Sequence, residues 1–281
     1  MQPRILILRA PGTNCDAETA FAFQRAGGNP EIFHIRRALE SPRLLNDFQV
    51  LCVPGGFSFG DDIASGRIFG VQLQHHLADA LQQFKTDGKL ILGICNGFQA
   101  IAKCGLLDGG NSDSGAGVTL AWNVSRKFED RWVNLAAIGS QCVFLAGISN
   151  MYLPVAHGEG RFFVRDDRVL TNLQQRSQLP LRYVACSASH QTPEKQSRVA
   201  PIASVDAAQP DFDQPVAYPD NPNGSLANVA GMCDETGRVF GLMPHPERHI
   251  DPTQHPRWTR GEAGEAGDGL RLFQNAVQFF R

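Results

Sequence analysis

Three short apolar runs constrain this chain more than any other feature: RILILRA (4–10), FQVLCVPGG (48–56) and KLILGICNG (89–97). Each is continuous rather than alternating, the pattern of a strand buried on both faces of a parallel sheet. The segments between them have helical spacing. AETAFAFQRAG closes on Gly27 and Gly28, a C-cap signal. IFGVQLQHHLADALQQFKTDG sets Phe69, Leu73, Leu77 and Leu81 four apart and stops at Gly88. This alternation predicts an α/β fold, a doubly wound and mostly parallel sheet flanked by helices. Ligands are expected beyond the carboxyl ends of its strands.

The middle of the chain is less regular. GGNSDSGAG (109–117) reads as a loop. SRKFEDRWVNLAAI reads as a strand from Phe128 onward, and MYLPVAHGEGRFFV (151–164) as two strands around a polar Gly turn. These predict an additional small antiparallel sheet region. The stretch 174–215 is rich in Gln, Ser, Pro and Ala and has no sustained period, so it is expected to be a surface insertion. GRVFGLMPHPER (237–248) is a further strand running into a proline-framed loop. LRLFQNAVQFF (270–280) has one apolar helical face. No repeat or linker divides the chain, so 1–281 reads as a single domain.

The 281 residues suffice for a sizeable core. A net charge of −2 gives no electrostatic case for nucleic acid or an anionic membrane. The apolar stretch at the start is too short for a signal peptide, and no run approaches the roughly 18 residues of a membrane span. Seven scattered cysteines without a CxxC pair point to free thiols and a cytoplasmic location rather than a disulfide framework.

One cysteine stands apart. In ILGICNGFQ (91–99) a strand pattern turns into a helix pattern, with Cys95 between Gly93 and Gly97. This is the nucleophile-elbow spacing G-x-S-x-G with Cys in place of Ser. The positive end of the following helix favours a thiolate, and the Asn96 N–H faces the place where an oxyanion forms. Free cysteine is more often core filler. That reading is taken for Cys52, Cys104, Cys142, Cys186 and Cys233, and left open for Cys15.

A base candidate lies in MPHPERH (243–249). Pro244 and Pro246 favour an extended chain, in which His245 and Glu247 share a face. Glu247 then orients the imidazole, the triad logic applied to a thiol. Two other readings stay open: a metal site from His245 and His249, or a loop histidine without a chemical role. Gly55 and Gly56, in VPGGFSFGDD (53–62), end the strand before that of Cys95. Their N–H groups are candidates for an oxyanion site.

GICNGFQ, PGGFSFGD and PHPER together resemble the triad-type (class I) glutamine amidotransferase family. RAPGTNCD (9–16), PGGFSFGDD, GICNGFQAI, SRKFEDRWV, LPVAHGEGRF, NPNGS and GRVFGLMPHPER resemble, within it, the glutaminase subunits of phosphoribosylformylglycinamidine synthase, over most of the chain and in order. The lengthened stretch around 186–215 and the GGNSDSGAG loop depart from the family pattern. The resemblance implies that Cys95 attacks the side-chain amide of glutamine. It implies that N–H groups near Gly56 and Asn96 hold the oxyanion, and that His245, oriented by Glu247, protonates the leaving ammonia. It implies glutamine binding by Gly55 and Gln99, and by His157, Gly158 and Glu159 in the HGEG turn. It implies no metal and no cofactor in this chain, with ATP and magnesium in a separate large synthetase subunit, and a small third subunit. The chain has no G-x-x-x-x-G-K-[ST] loop of its own. Rival readings are the glutaminase of another amidotransferase, an intracellular cysteine peptidase or chaperone-like hydrolase, and a non-catalytic regulatory homologue.

Overall fold

The computed structural model describes residues 2–108, 117–138, 141–185 and 214–281. Among the described residues, the strands predicted from continuous apolar runs lie side by side in a nine-stranded sheet. β1 (Arg4–Arg9), β3 (Val50–Val53), β4 (Leu90–Ile94) and β11 (Val239–Leu242) run parallel in the order β1-β3-β4-β11. Every residue of β3, β4 and β11 is buried, as continuous apolar runs require. β2 (Asn29–His34) lies outside β1, parallel to it. Its sequence NPEIFH contains a proline and polar residues, which suit an edge strand and hide it from an apolar-run search.

On the other side the sheet continues antiparallel. β10 (Val229–Cys233) pairs with β11, followed by β9 (Leu181–Tyr183), β6 (Glu129–Ala137) and β7 (Asn150–His157). A separate pair, β5 (Val118–Ala121) with β8 (Arg161–Val164), forms the small antiparallel sheet. β7 and β8 are therefore the two strands around the Gly turn, but each belongs to a different sheet.

The helices are α1 (Asp16–Arg25), α2 (Ile35–Glu40), α3 (Arg67–His76), α4 (Ala78–Thr86), α5 (Asn96–Lys103), α6 (Asp167–Gln175) and α7 (Leu270–Gln278). The 68–88 segment is two helices that meet at Leu77, where φ is −122° and ψ 6°. A strict spacing of four drifts around a helix of 3.6 residues per turn. The break lets Phe69, Leu73, Leu77 and Leu81 all reach the core. No helix among the described residues is long and apolar enough to cross a membrane.

The expected insertion at 174–215 needs correction at its start. Residues 174 and 175 finish α6, and Leu181–Tyr183 is a buried strand of the main sheet. Three strand residues after Pro180 are too few to show a period. The rest of that expectation, from 186 to 213, lies outside the described residues, as do Cys186 and most of the GGNSDSGAG loop.

Candidate active site

β1, β3, β4 and β11 deliver their carboxyl ends to one edge of the sheet, since Val53 pairs with Gly93 and Leu242 with Ile94. Cys95 is the first residue past β4. Its φ is 51° and ψ −107°, a conformation costly for a residue with a Cβ. The elbow is held because the Cys95 N–H donates to Leu242 O at 2.8 Å. Its glycines are sterically required. A Cβ on Gly97 would lie 1.8 Å from Val53 O, and one on Gly93 2.8 Å from Gly97 O. The side chain of Cys95 is 4% exposed, with Sγ 3.7 Å from Ala156 O on β7.

β11 leads to the base candidate. The His245 N–H donates to Pro154 O at 2.8 Å, which fixes the loop to β7. Nδ1 lies 2.7 Å from Glu247 Oε1, and both side chains are buried. The backbone route differs from the extended chain expected from the prolines. Pro246–Arg248 is a short 3-10 turn that begins with Pro246, because proline fits a first helical position as well as an extended one. The turn still brings Glu247 back to the ring. Burial opposes charge on His245, but the Glu247 carboxylate and then Cys95 outweigh it and lift its pKa well above the ordinary 6.5. Nε2 is buried and has no hydrogen-bond partner among the described residues. It is the ring nitrogen left for proton transfer.

Gly55 sits between the catalytic candidates. A Cβ there would lie 2.8 Å from His245 Cε1, 3.1 Å from Cys15 Sγ and 3.5 Å from Cys95 Cβ. Gly56, at φ 140°, is bridged to Thr13. That bridge is carried by the Phe57 N–H on Gly12 O and the Asn14 N–H on Gly55 O, so it does not use the Gly56 N–H. The Asn96 N–H opens α5, where a helix leaves its donors without intrahelical partners.

The other binding candidates are differently engaged. Gln99 donates from Nε2 to Glu159 O and accepts from Asn96 Nδ2 at 3.0 Å, while Glu159 Oε2 accepts the Ser65 N–H at 3.3 Å. These two side chains tie α5 to the HGEG turn and to the loop after β3. Gly158 O accepts the Asn123 N–H. His157 is buried with both ring nitrogens unpartnered among the described residues. Burial, and then the nearby His245, push its pKa down to about 3.

Three further residues belong to this assembly. Asp61 accepts from Asn96 Nδ2 at 3.0 Å and from the Gly66 N–H at 3.3 Å, and its other oxygen accepts from Ser65 Oγ at 3.0 Å. Cys15 Sγ lies 4.0 Å from His245 Nδ1, and Arg248 donates to that sulfur at 3.1 Å. Asp61 and Arg248 lie within stretches already read as motifs, but spacing alone assigns them no partner.

His249 is not among the ligand-type side chains that cluster with His245 in the described residues, and its Nδ1 is engaged with Tyr152 O at 2.8 Å. Ligand atoms of Cys15, His245 and Glu247 lie within 4.8 Å of one another. The guanidinium beside the sulfur and the His245–Glu247 hydrogen bond both oppose a cation there.

Comparison with known proteins agrees with this geometry. The CobB/CobQ-like glutamine amidotransferase domain family matches residues 2–210 and 208–280. Phosphoribosylformylglycinamidine synthase subunit PurQ of Dehalococcoides mccartyi is 42% identical over 99% of this chain and 98% of its own. The protein of that name from Methanococcus maripaludis is 36% identical over 99% of this chain and 97% of its own. A chain in the structure of PurLQS from Thermotoga maritima superposes with a TM-score of 0.70 at 28% identity, covering both chains fully. Elbow, base loop and full-length similarity coincide, and the chain belongs to the PurQ family of phosphoribosylformylglycinamidine synthase subunits.

Proposed function

We propose that Cys95, His245 and Glu247 carry out the glutaminase reaction of phosphoribosylformylglycinamidine synthase, the role in purine biosynthesis that PurQ membership gives this chain. The observation that carries the residue assignment is the buried His245–Glu247 pair set beside a strained Cys95 at the carboxyl edge of a parallel sheet.

Cys95 first passes its proton to His245 Nε2, and the resulting thiolate attacks the δ-carbon of glutamine beside the imidazolium. The tetrahedral oxyanion is held by the N–H groups of Gly56 and Asn96. Glu247 holds Nδ1 and compensates the imidazolium. His245 then protonates the leaving amine, ammonia departs, and a γ-glutamyl thioester remains on Cys95. Water, deprotonated by His245, attacks the thioester. Glutamate leaves and the thiol is restored. Glutamine is bound at the rim formed by Gly55 and the HGEG turn, where His157 offers a neutral imidazole. Gln99 and Glu159 support that rim through their bonds to each other and to Ser65.

Ammonia passes to a large synthetase subunit, which holds ATP and magnesium, with a small third subunit in the assembly. The similar Thermotoga maritima chain comes from a structure of PurLQS, which supports a multi-subunit arrangement. The complex is placed in the cytoplasm.

The test is mass-spectrometric mapping of an electrophilic glutamine analogue on the intact chain, with Cys95→Ala as control. An adduct on Cys95, absent in the variant, is expected. An adduct on another residue overturns the assignment.

A further inference from the structure

Cys15 follows β1 and is 1% exposed. Its N–H donates to Gly55 O at 3.3 Å, which fixes its backbone to the loop after β3. Its thiol donates to Asn14 Oδ1 at 3.2 Å, and its sulfur accepts from Arg248 Nη2 at 3.1 Å. Burial pushes its pKa up, with His245 and Arg248 working the other way, so the group is a neutral thiol at neutral pH. Arg248 places its Nε on Glu18 Oε1 at 2.9 Å. Glu247 Oε2 is buried and without a hydrogen-bond partner among the described residues. Ligand atoms of Cys15 and Glu247 lie within 4.8 Å of each other, and the Glu247 charge acts on Arg248. The guanidinium bonds the sulfur and Glu18, while Oε2 of the adjacent Glu247 has no hydrogen-bond partner among the described residues.

We propose that Cys15 is a positioning residue for glutamine hydrolysis: its sulfur holds the Arg248 guanidinium away from Glu247, so that the Glu247 carboxylate stays committed to His245. Without the sulfur, Nη2 loses its acceptor, and an arginine–carboxylate bond to Glu247 Oε2 is the stronger replacement. The carboxylate then shares its charge between two cations, and His245 loses part of the attraction that keeps it protonated.

The groups that act on His245 come from several elements. Glu247, Cys95 and Cys15 favour its cation, and a charge on His157 would oppose it. Arg248 lies beyond Cys15. Glu247 exerts the largest upward pull among them, so a change in its commitment is readable in the pH profile of the reaction.

This inference rests on the triad proposed above. The experiment compares glutamine hydrolysis against pH for the wild type, Cys15→Ser, Cys15→Ala, Arg248→Gln and Cys15→Ala/Arg248→Gln, each assembled with the synthetase and checked by thermal melting. Serine keeps a donor and an acceptor, so Cys15→Ser is expected within about threefold of wild-type kcat with the same profile. Cys15→Ala is expected to lose kcat about tenfold at unchanged KM, with its alkaline limb about one pH unit lower. Adding Arg248→Gln to Cys15→Ala is expected to restore the limb. An alkaline limb unmoved in Cys15→Ala, or a double variant no better than Cys15→Ala, overturns the inference. The fate of the underlying triad is read separately, from glutamine-analogue labelling of Cys95 in the wild type, which does not depend on Cys15.

Discussion

His245 Nδ1 and Glu247 Oε1 lie 2.7 Å apart, with both side chains shut off from solvent. A buried carboxylate facing a neutral ring is poorly compensated, but one facing an imidazolium is paired. The contact therefore fixes the Nδ1 proton, leaves Nε2 as the basic atom, and stabilises the charged ring that forms when a thiol gives up its proton.

The first prediction removes that charge at constant shape. Glu247→Gln presents an amide to Nδ1, which no longer compensates the imidazolium and can force the wrong tautomer. Ammonia release under saturating glutamine is expected to fall on the order of 10²–10⁴-fold. KM is expected to change little, because Glu247 touches the base and not the substrate. A large rise in KM at preserved kcat would contradict the role.

The pH profile gives the second prediction. His245 is lifted above 6.5, with Glu247 the largest upward influence against burial. A raised pKa keeps the ring protonated above 6.5, so the proton needed by the leaving ammonia persists into alkaline solution. The alkaline limb of kcat is therefore expected well above 6.5. In Glu247→Gln it moves to lower pH. Residual activity of the variant, measured across pH, decides this, and a limb that stays in place argues against His245 as the acid.

Much of this arrangement was legible in the sequence because it depends on local rules. Continuous apolar runs mark β1, β3, β4 and β11. Two glycines mark an elbow at Cys95, and their necessity is visible in the contacts a Cβ would make. Proline spacing pointed to the His245–Glu247 pair, although the chain closes it through a 3-10 turn. What escaped was set by tertiary pairing. β9 has only three residues and is defined by its neighbours β10 and β6. Cys15 meets His245 across 230 positions, and no period encodes such a contact. The bonds of the Gln99 amide to Glu159 and Asn96 are likewise long-range or side-chain pairings that no spacing announces.

Two glycines should fail in different ways. A Cβ at Gly97 would meet the Val53 carbonyl at 1.8 Å, a backbone atom that cannot step aside. Gly97→Ala is expected to destabilise the fold by about 3 kcal/mol or more, read as a lowered thermal midpoint. At Gly55 the contacts are the side chains of His245, Cys15 and Cys95, at 2.8, 3.1 and 3.5 Å. Gly55→Ala is expected to fold but to displace the imidazole, with at least about a hundredfold loss in kcat, since small misplacements at a reacting centre are costly. Equal thermal losses in both variants would contradict this division.

The Asn96 side chain yields a prediction about the oxyanion loop. It accepts the Ser58 N–H at 3.1 Å and donates to Asp61 and Gln99, each at 3.0 Å. Phe59, Gly60 and Asp61 all have positive φ, so the loop depends on such ties to hold its shape. Asn96→Ala keeps its own backbone N–H yet unties the loop that carries Gly56. Stability is expected to fall by about 1–3 kcal/mol through unpaired buried groups. Ammonia release is expected to fall further than the unfolded fraction explains. Activity loss that tracks unfolding alone would remove the loop from the argument.

His157 supplies the last prediction, in the acid stability of the chain. Burial, then the proximity of His245, hold its pKa down at about 3 against an ordinary 6.5. The folded state therefore keeps this ring neutral where the unfolded state charges it. Its contribution is fully present above 6.5 and is lost as pH falls from 6.5 toward 3, because over that window the unfolded chain binds the extra proton. The slope from one such group approaches about 1.4 kcal/mol per pH unit. Urea unfolding midpoints measured from pH 7 to pH 4 are expected to fall more steeply for the wild type than for His157→Asn, which has nothing to protonate there. The imidazole resonances of His157 should also stay at their neutral positions between pH 7 and pH 5. Parallel slopes for the two proteins, or a His157 resonance that titrates near 6.5, would show that the ring reaches water and that the pocket beside His245 is wetter than its burial implies.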